Sequence, residues 1–281
     1  GGSTFKVFGL LAALQKDIRT KTTFDGHSPQ SFPEFKGGAN PTGMVKNFGQ
    51  GSGEQFGRID LRKATAHSVN TVFAQLNIKL ADGGREATGV RDAAVLAGLP
   101  KACPGSKPAR TCTPGLGTDM TNILGTASPH VIDMANAYAT IAAQGQRATP
   151  YLVTKVTSAD GGIDYKVKKK LTPAFDPKVT ADVTEAMTHV VTEGTGFGAG
   201  ALGRPAAGKT GTTTNTEAVW FDGFTPQLSA AVGIYKNGTH PPVTCKNGRL
   251  NSRCAPPAAY WTAITKGALQ GNRVPRSPAP S

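Results

Sequence analysis

No apolar run in these 281 residues approaches the roughly 20 consecutive apolar positions that a membrane-spanning helix needs. No signal peptide precedes Gly1, so the expectation is a soluble piece. Acid is scarce as well: 18 Asp and Glu stand against 31 Lys and Arg, for a formal charge of +13. That excess points to anionic surroundings, with nucleic acid, a membrane surface and an acidic cell wall as the choices. Nucleic acid is set aside, because apart from Lys166, Lys168, Lys169 and Lys170 the basic residues are scattered, and no aromatic-interleaved basic motif occurs. The five histidines lack ligand spacing such as H-x-x-x-H, so neither a metal nor a cofactor is expected. No internal repeat is present.

Cysteine is also sparse, at four residues, in two like-spaced pairs: Cys103 with Cys112 and Cys245 with Cys254. Each pair encloses a polar stretch rich in Gly, Pro or basic residues, as two small disulfide loops would. Three connectivities are open to four cysteines, and the spacing favours the local one. Zinc is the rival, but C-x-x-C is lacking and the intervening basic residues would repel a cation. Two disulfides would place the domain outside the cytoplasm.

What remains is a globular composition, 38% hydrophobic and 17% charged, with 35 Gly and 20 Pro to supply many turns. The chain is long enough for one large domain or two fused lobes. Residues 5–15 (FKVFGLLAALQ) predict a buried helix that is apolar nearly all round, and residues 20–58 read as a long loop region. IDLRKATAHSVNTVFAQLNIKL predicts two helices broken around His67 and Ser68, where small polar residues favour a cap. RDAAVLAGL and PHVIDMANAYATIAAQG continue this helical half. From Tyr151 the pattern changes to a hairpin turning on Asp160, Gly161 and Gly162, then a helix from about Pro177 to Glu193. RPAAGKTGTT, AVWFDGF and LSAAVGIYK predict an antiparallel meander, and residues 257–270 a closing helix.

Three short motifs carry chemistry. Ser3, Thr4, Phe5 and Lys6 form S-x-x-K at the mouth of the first helix, where residues three apart share a face and the lysine amine can reach the serine hydroxyl. A lysine serves as base only when burial or nearby cations lower its pKa, and the apolar run behind Lys6 offers such burial. Ser68, Val69 and Asn70 form S-x-N at the break between two helices, a second hydroxyl for proton relay and an amide to position Lys6 or bind a substrate carbonyl. Lys209, Thr210 and Gly211 form K-T-G on a strand, followed by Thr212 and Thr213. A strand edge can hold an extended peptide, its lysine and hydroxyls a carboxylate, and its glycine allows substrate to approach the backbone. Taken singly, each has a plain alternative: a helix cap with a surface lysine, a helix N-cap, and threonines that favour strands. Each motif occurs once, in this order, on a helix mouth, an interhelical loop and a strand. With Asp in the middle of S-x-N, that trio is the signature of penicillin-binding proteins and class A β-lactamases.

The likeness runs well beyond the triplets. GSTFKVF, ATAHSVNTVFAQL, MANAYATIAAQG with TPYLVTKV, and EGTGFGAGALGRPAAGKTGTTTNTEAVWFDGFTPQLSAAVGIYKNG resemble the transpeptidase domain of bifunctional class A penicillin-binding proteins, across most of residues 1–236. The cysteine pairs and the Pro-rich end are similar to those of actinobacterial members. The resemblance implies an α/β (α+β) fold, an antiparallel sheet flanked by helices plus an all-helical lobe, as in the serine β-lactamases. It makes Ser3 the nucleophile, Lys6 its base, Ser68 and Asn70 the relay and positioning pair, and Lys209 the shaper of the local field. Thr210, Gly211, Thr212 and Thr213 would line the substrate strand, Thr210 and Thr212 holding the terminal carboxylate, with the amides of Ser3 and Thr212 as oxyanion hole. The implied substrates are a D-Ala-D-Ala stem peptide and an amine on a second strand, and β-lactams would acylate the same serine.

Two alternatives remain. A serine β-lactamase or D,D-carboxypeptidase would pass the acyl group to water, but Glu185 and Glu193, the only glutamates close before K-T-G, lie on a predicted helix rather than a deacylating loop. A non-catalytic β-lactam sensor or peptidoglycan-binding module would also suit the charge. The family places two sheet strands and a linker before S-x-x-K, and usually Pro where Gly1 stands. The expectation is therefore a domain over residues 1–270 lacking its N-terminal strands, completed by a missing segment or a companion chain, with a Pro/Ser-rich tail over 271–281. A full-length protein would carry the membrane anchor and hold this domain on the extracytoplasmic face, in the cell-wall space.

Overall fold

The computed structural model describes residues 1–37, 40–84, 86–104, 111–213, 216–235, 243 and 256–275. A single 3-10 turn, Gly2–Phe5, runs directly into helix α1 (Lys6–Gln15), whose residues from Lys6 to Ala13 are all buried. A helix apolar on every side has no solvent face to offer, so α1 becomes the axis about which the other helices pack. The stretch read as loop holds two small ladders, β1 (Thr23–Asp25) with β4 (Arg58–Asp60) and β2 (Gln30–Ser31) with β3 (Met44–Val45). These strands are two or three residues long, too short to leave a periodic signal.

Helix α2 (Leu61–Ala66) is capped by Asp60, whose side chain accepts from the Lys63 amide, and α3 (Asn70–Ala81) follows the expected break. No side chain of the break caps α3. The first turn is held by a distant residue: buried Asn47 accepts from the Thr71 amide at 3.1 Å and hydroxyl at 3.2 Å and donates to the Gly26 and Glu54 carbonyls. Helices α4 (Thr88–Ala97) and α5 (Val131–Ala142) complete the helical half, α4 lying against α1. Cys103 and Cys112 are bridged, as the spacing favours; Cys245 and Cys254 lie outside the described residues.

After β5 (Gln146–Ala148), the hairpin β6 (Lys155–Thr157) and β7 (Asp164–Lys166) turns at Asp160–Gly162 as expected, and β8 (Leu171–Pro173) returns to pair with β5. Helix α6 (Pro177–Thr192) then leads to the meander β9 (Ala207–Thr212), β10 (Ala218–Thr225) and β11 (Leu228–Tyr235), antiparallel in the order β11-β10-β9. Side chains alternate across β10. Trp220 and Phe224 join the main core with α1 and α5, whereas Phe221 joins a second cluster with Val191, Leu202 and Trp261. Trp261 belongs to α7 (Pro256–Ala268), which covers that second face. Its ring meets Phe221 edge to face at 5.2 Å, and its indole N–H reaches the Gly223 and Ala230 carbonyls at 3.2 and 3.1 Å. Among the described residues, no helix is long and apolar enough to cross a membrane.

Replacing the fully buried Trp261 by alanine removes this anchor between α7 and the sheet. Urea denaturation is expected to show a loss of about 3–5 kcal/mol for Trp261→Ala; an unchanged midpoint would show that α7 does not support the sheet.

Candidate active site

Ser3 sits half-buried in the 3-10 turn ahead of α1, and its hydroxyl caps neither helix. The turn is wedged between β9 and the loop at Gly125. A Cβ on Gly2, whose φ is +56°, would stand 2.7 Å from the Thr212 carbonyl oxygen and 2.9 Å from its amide nitrogen. One on Gly125, at φ +86°, would collide with the Gly2 carbonyl. Only glycine fits such approaches at positive φ. Gly211, on extended backbone, is as tightly enclosed: its missing Cβ would point 2.4 Å from the Gly1 carbonyl and 2.9 Å from the Thr4 methyl, so the turn that carries Ser3 fills that space.

Lys6, three residues on, is wholly buried at the start of α1. Its amine donates to the Ser68 carbonyl at 2.6 Å and the Asn70 Oδ1 at 2.6 Å, meets the Ser68 hydroxyl at 3.1 Å, and lies 5.4 Å from the Phe73 ring centre. No hydrogen bond joins it to the Ser3 hydroxyl among the described residues. Ser68 adopts a left-handed φ of +57°, sparsely populated for a residue with a Cβ. That backbone turn presents the carbonyl and the hydroxyl of one residue to one amine. Asn70 is oriented from its far side, where its Nδ2 donates to the Lys46 carbonyl at 2.7 Å. The segment expected to be loop thus secures both Asn70 and, through Asn47, the first turn of α3.

On β9 the residues alternate: Lys209 and Gly211 are buried, Thr210 and Thr212 half-buried. The Lys209 amine donates to the Thr210 carbonyl at 3.0 Å. The Thr210 hydroxyl shares a 2.6 Å hydrogen bond with that of Thr195, whose amide is fixed to the Ala66 carbonyl at the end of α2. Thr195 had no motif to mark it; the only signal was its place in the EGTG stretch. The Thr213 hydroxyl accepts from the Ala218 amide at 2.8 Å and faces the Ala218 carbonyl, closing the end of the β9–β10 hairpin.

Two buried amines set the electrostatics. Burial, reinforced by the charge of Lys209, pushes the Lys6 ammonium well below the usual lysine range. Burial likewise lowers Lys209 to about 7, with Asp222 pulling it back up. For Lys6 that direction favours the free amine, which keeps two N–H groups for the Ser68 carbonyl and the Asn70 Oδ1 and turns its lone pair to the Ser68 hydroxyl, the arrangement a general base requires. Glu185 and Glu193 are engaged elsewhere, their carboxylates 2.8 and 2.6 Å from the two ring nitrogens of His189.

The positioning of Asn70 and Lys6 through residues 46–47 has a measurable consequence. Asn47→Ala is expected to lower stability by about 1–3 kcal/mol in denaturant titration, since it leaves the Thr71 amide and two carbonyls without their partner. A neutral effect would mean that this segment does not hold α3.

The family model described as penicillin binding protein transpeptidase domain matches residues 1–248. The chain is 35% identical over 291 aligned positions to penicillin-binding protein 1A of Mycobacterium tuberculosis, covering 100% of this chain and 33% of that protein. It is 32% identical to penicillin-binding protein 1A of Mycolicibacterium smegmatis, covering 100% of this chain and 35% of the relative. It thus spans about a third of the length of these curated relatives. Its fold matches the structure of PonA1 from Mycobacterium tuberculosis in complex with penicillin V at a TM-score of 0.80 and 30% identity, over 100% of this chain and 72% of that one. With a buried S-x-x-K lysine bonded to S-x-N and K-T-G on the adjoining strand, this chain belongs to the penicillin-binding protein transpeptidase domain family.

Proposed function

We propose that this domain is a serine D,D-transpeptidase that cross-links peptidoglycan stem peptides through an acyl-enzyme on Ser3, and that β-lactams acylate the same residue. The observation that carries the reading is the Lys6 amine, fully buried and hydrogen-bonded to Ser68 and Asn70 next to the turn that bears Ser3. As Ser3 Oγ attacks the penultimate carbonyl of D-Ala-D-Ala, its proton passes to Lys6 Nζ. The tetrahedral oxyanion rests on the Ser3 and Thr212 amides, whose backbones meet at Gly2. Collapse breaks the peptide bond, and the departing D-Ala amine takes a proton through the Ser68 hydroxyl. The amine of a second strand then attacks the ester and restores Ser3, running the same transfers in reverse.

Thr210 and Thr212 face the carboxylate of the donor peptide, with Lys209 supplying positive charge behind them. A β-lactam carries the same carboxylate, and its opened ring stays attached to the acyl group, so no leaving group departs and the acceptor is blocked. The resemblance to PonA1 in complex with penicillin V supports this reading. The engagement of Glu185 and Glu193 by His189 argues against a β-lactamase. The domain works at the extracytoplasmic face of the cell membrane, in the cell-wall space.

Intact mass after benzylpenicillin is expected to show one stable adduct per chain, lost in Ser3→Ala, with circular dichroism confirming that both proteins are folded. An adduct that persists in Ser3→Ala, or none on the folded wild type, would refute the assignment. The acylation rate is expected to rise with pH as Lys6 loses its proton and to fall above about 7 as Lys209 loses its own. A rate independent of pH across neutrality would exclude the two lysines from these roles.

A further inference from the structure

Asp222 is a buried carboxylate that the reaction above leaves without a task. It lies on β10, fully buried, in register with Lys209 across the ladder, so the two side chains leave the same face with Cβ atoms about 5 Å apart. The groups turned toward it come from every element on that face: the Thr4 hydroxyl from the Ser3 turn, the Tyr138 phenol from α5, and the Lys209 amine from β9. Lys6, on α1, feels the charge of Lys209. On β11 the register partner is the apolar Ala231.

No hydrogen bond of ordinary geometry reaches either carboxylate oxygen of Asp222, although the Thr4 hydroxyl lies near enough to favour its charge. The hydroxyl protons nearby are committed: Thr4 Oγ1 donates to the Gly1 carbonyl at 2.9 Å and the Tyr138 hydroxyl to the Thr4 carbonyl at 2.9 Å. Lys209 commits one proton, to the Thr210 carbonyl, and its ammonium form has two more. A buried carboxylate survives only when paired, and Lys209 is the side chain able to pair with it.

The reaction asks opposite things of two adjacent buried lysines. Lys6 must be neutral to accept the Ser3 proton, and Lys209 must be charged to meet a carboxylate. Burial penalises both ammonium ions alike, so burial alone does not choose between them. We propose that Asp222 is a positioning residue that makes this choice: standing opposite Lys209 on the neighbouring strand, it holds Lys209 as the ammonium and thereby leaves Lys6 as the free amine. The proposal rests on the reading of Ser3 and Lys6 given above. Burial pushes the Asp222 carboxyl up, against the opposing pull of Thr4 and Lys209, so the pair is sensitive to the loss of either member.

Signs follow directly. Without the carboxylate, Lys209 loses its proton at lower pH, and Lys6, no longer repelled by it, holds its own to higher pH. The pH window of acylation therefore narrows from both sides. The test compares wild type with Asp222→Asn and Asp222→Ala, both confirmed folded by cooperative melting, in two measurements. One is the benzylpenicillin acylation rate between about pH 5 and pH 10; the other is titration of [13Cε]lysine signals, assigned with Lys6→Met.

The expected result is that each limb moves inward by about one pH unit, a tenfold loss of rate on either side, with the lysine titrations drawing together. A uniform loss of rate with unmoved limbs and unmoved lysine titrations would show a merely structural role and overturn the proposal. If wild type fails to acylate while the lysine titrations still depend on Asp222, the assignment of the proton stands and the reading of Ser3 falls. Should neither variant fold, wild-type lysines that lose their protons together would overturn the proposal, and a clear separation with Lys209 last would uphold it.

Discussion

The site depends on an amine taken out of water. Lys6 enters the core at the head of α1 and finds three hydrogen-bond partners, two acceptors and a hydroxyl, all on one tripeptide more than sixty residues away. An ammonium ion in that position would be costly, and the neutral amine is correspondingly favoured. The left-handed Ser68, the break between α2 and α3, and the burial of α1 on every side all serve to place those partners around that nitrogen. Strain at a single non-glycine residue is tolerable where surrounding contacts over-determine it, and here α2, α3 and α1 all do so.

A second constraint is the close approach of backbones. The turn carrying Ser3 runs against β9 with room only for hydrogen at Gly2, Gly211 and Gly125. Side chains at these positions would push the turn that bears Ser3 away from β9. The sheet itself is held from behind by α7 through Trp261 and from the front by α5, whose Ala135 carbonyl accepts from Ser229. Strand β9 is thereby fixed as an edge whose half-buried threonines face outward while Lys209 remains inside. The two lysines of the site sit in one low-dielectric region, where each is sensitive to the other's charge.

Much of this was readable from pattern. A helix apolar all round, three strands in a meander, and a hairpin turning on Asp-Gly-Gly each have a period or a turn residue that reports them. S-x-x-K, S-x-N and K-T-G stand out because their order matches elements of the right kind. The short ladders between residues 23 and 60 were not readable, since two or three residues cannot display an alternation. Nor was the reach of Asn47 to Thr71, because a cap supplied from another segment leaves no mark beside the helix it caps. Ser68 and Asn70 looked like caps by composition; the structure gives their polar atoms to Lys6 and Lys46. Thr195 and Asp222 carried no motif at all, and nothing in K-T-G reports that Gly211 packs against Gly1 and Thr4.

Local sequence alone therefore determined which elements form and which side chains are chemically able to act, because helix and strand periodicity and the identity of a nucleophile are properties of adjacent residues. The tertiary structure alone decided which of those side chains meet, and in what charge state. Desolvation and the field of a neighbouring charge depend on everything packed within a few ångströms, and here those neighbours come from α1, the α2–α3 junction, β9 and β10 together.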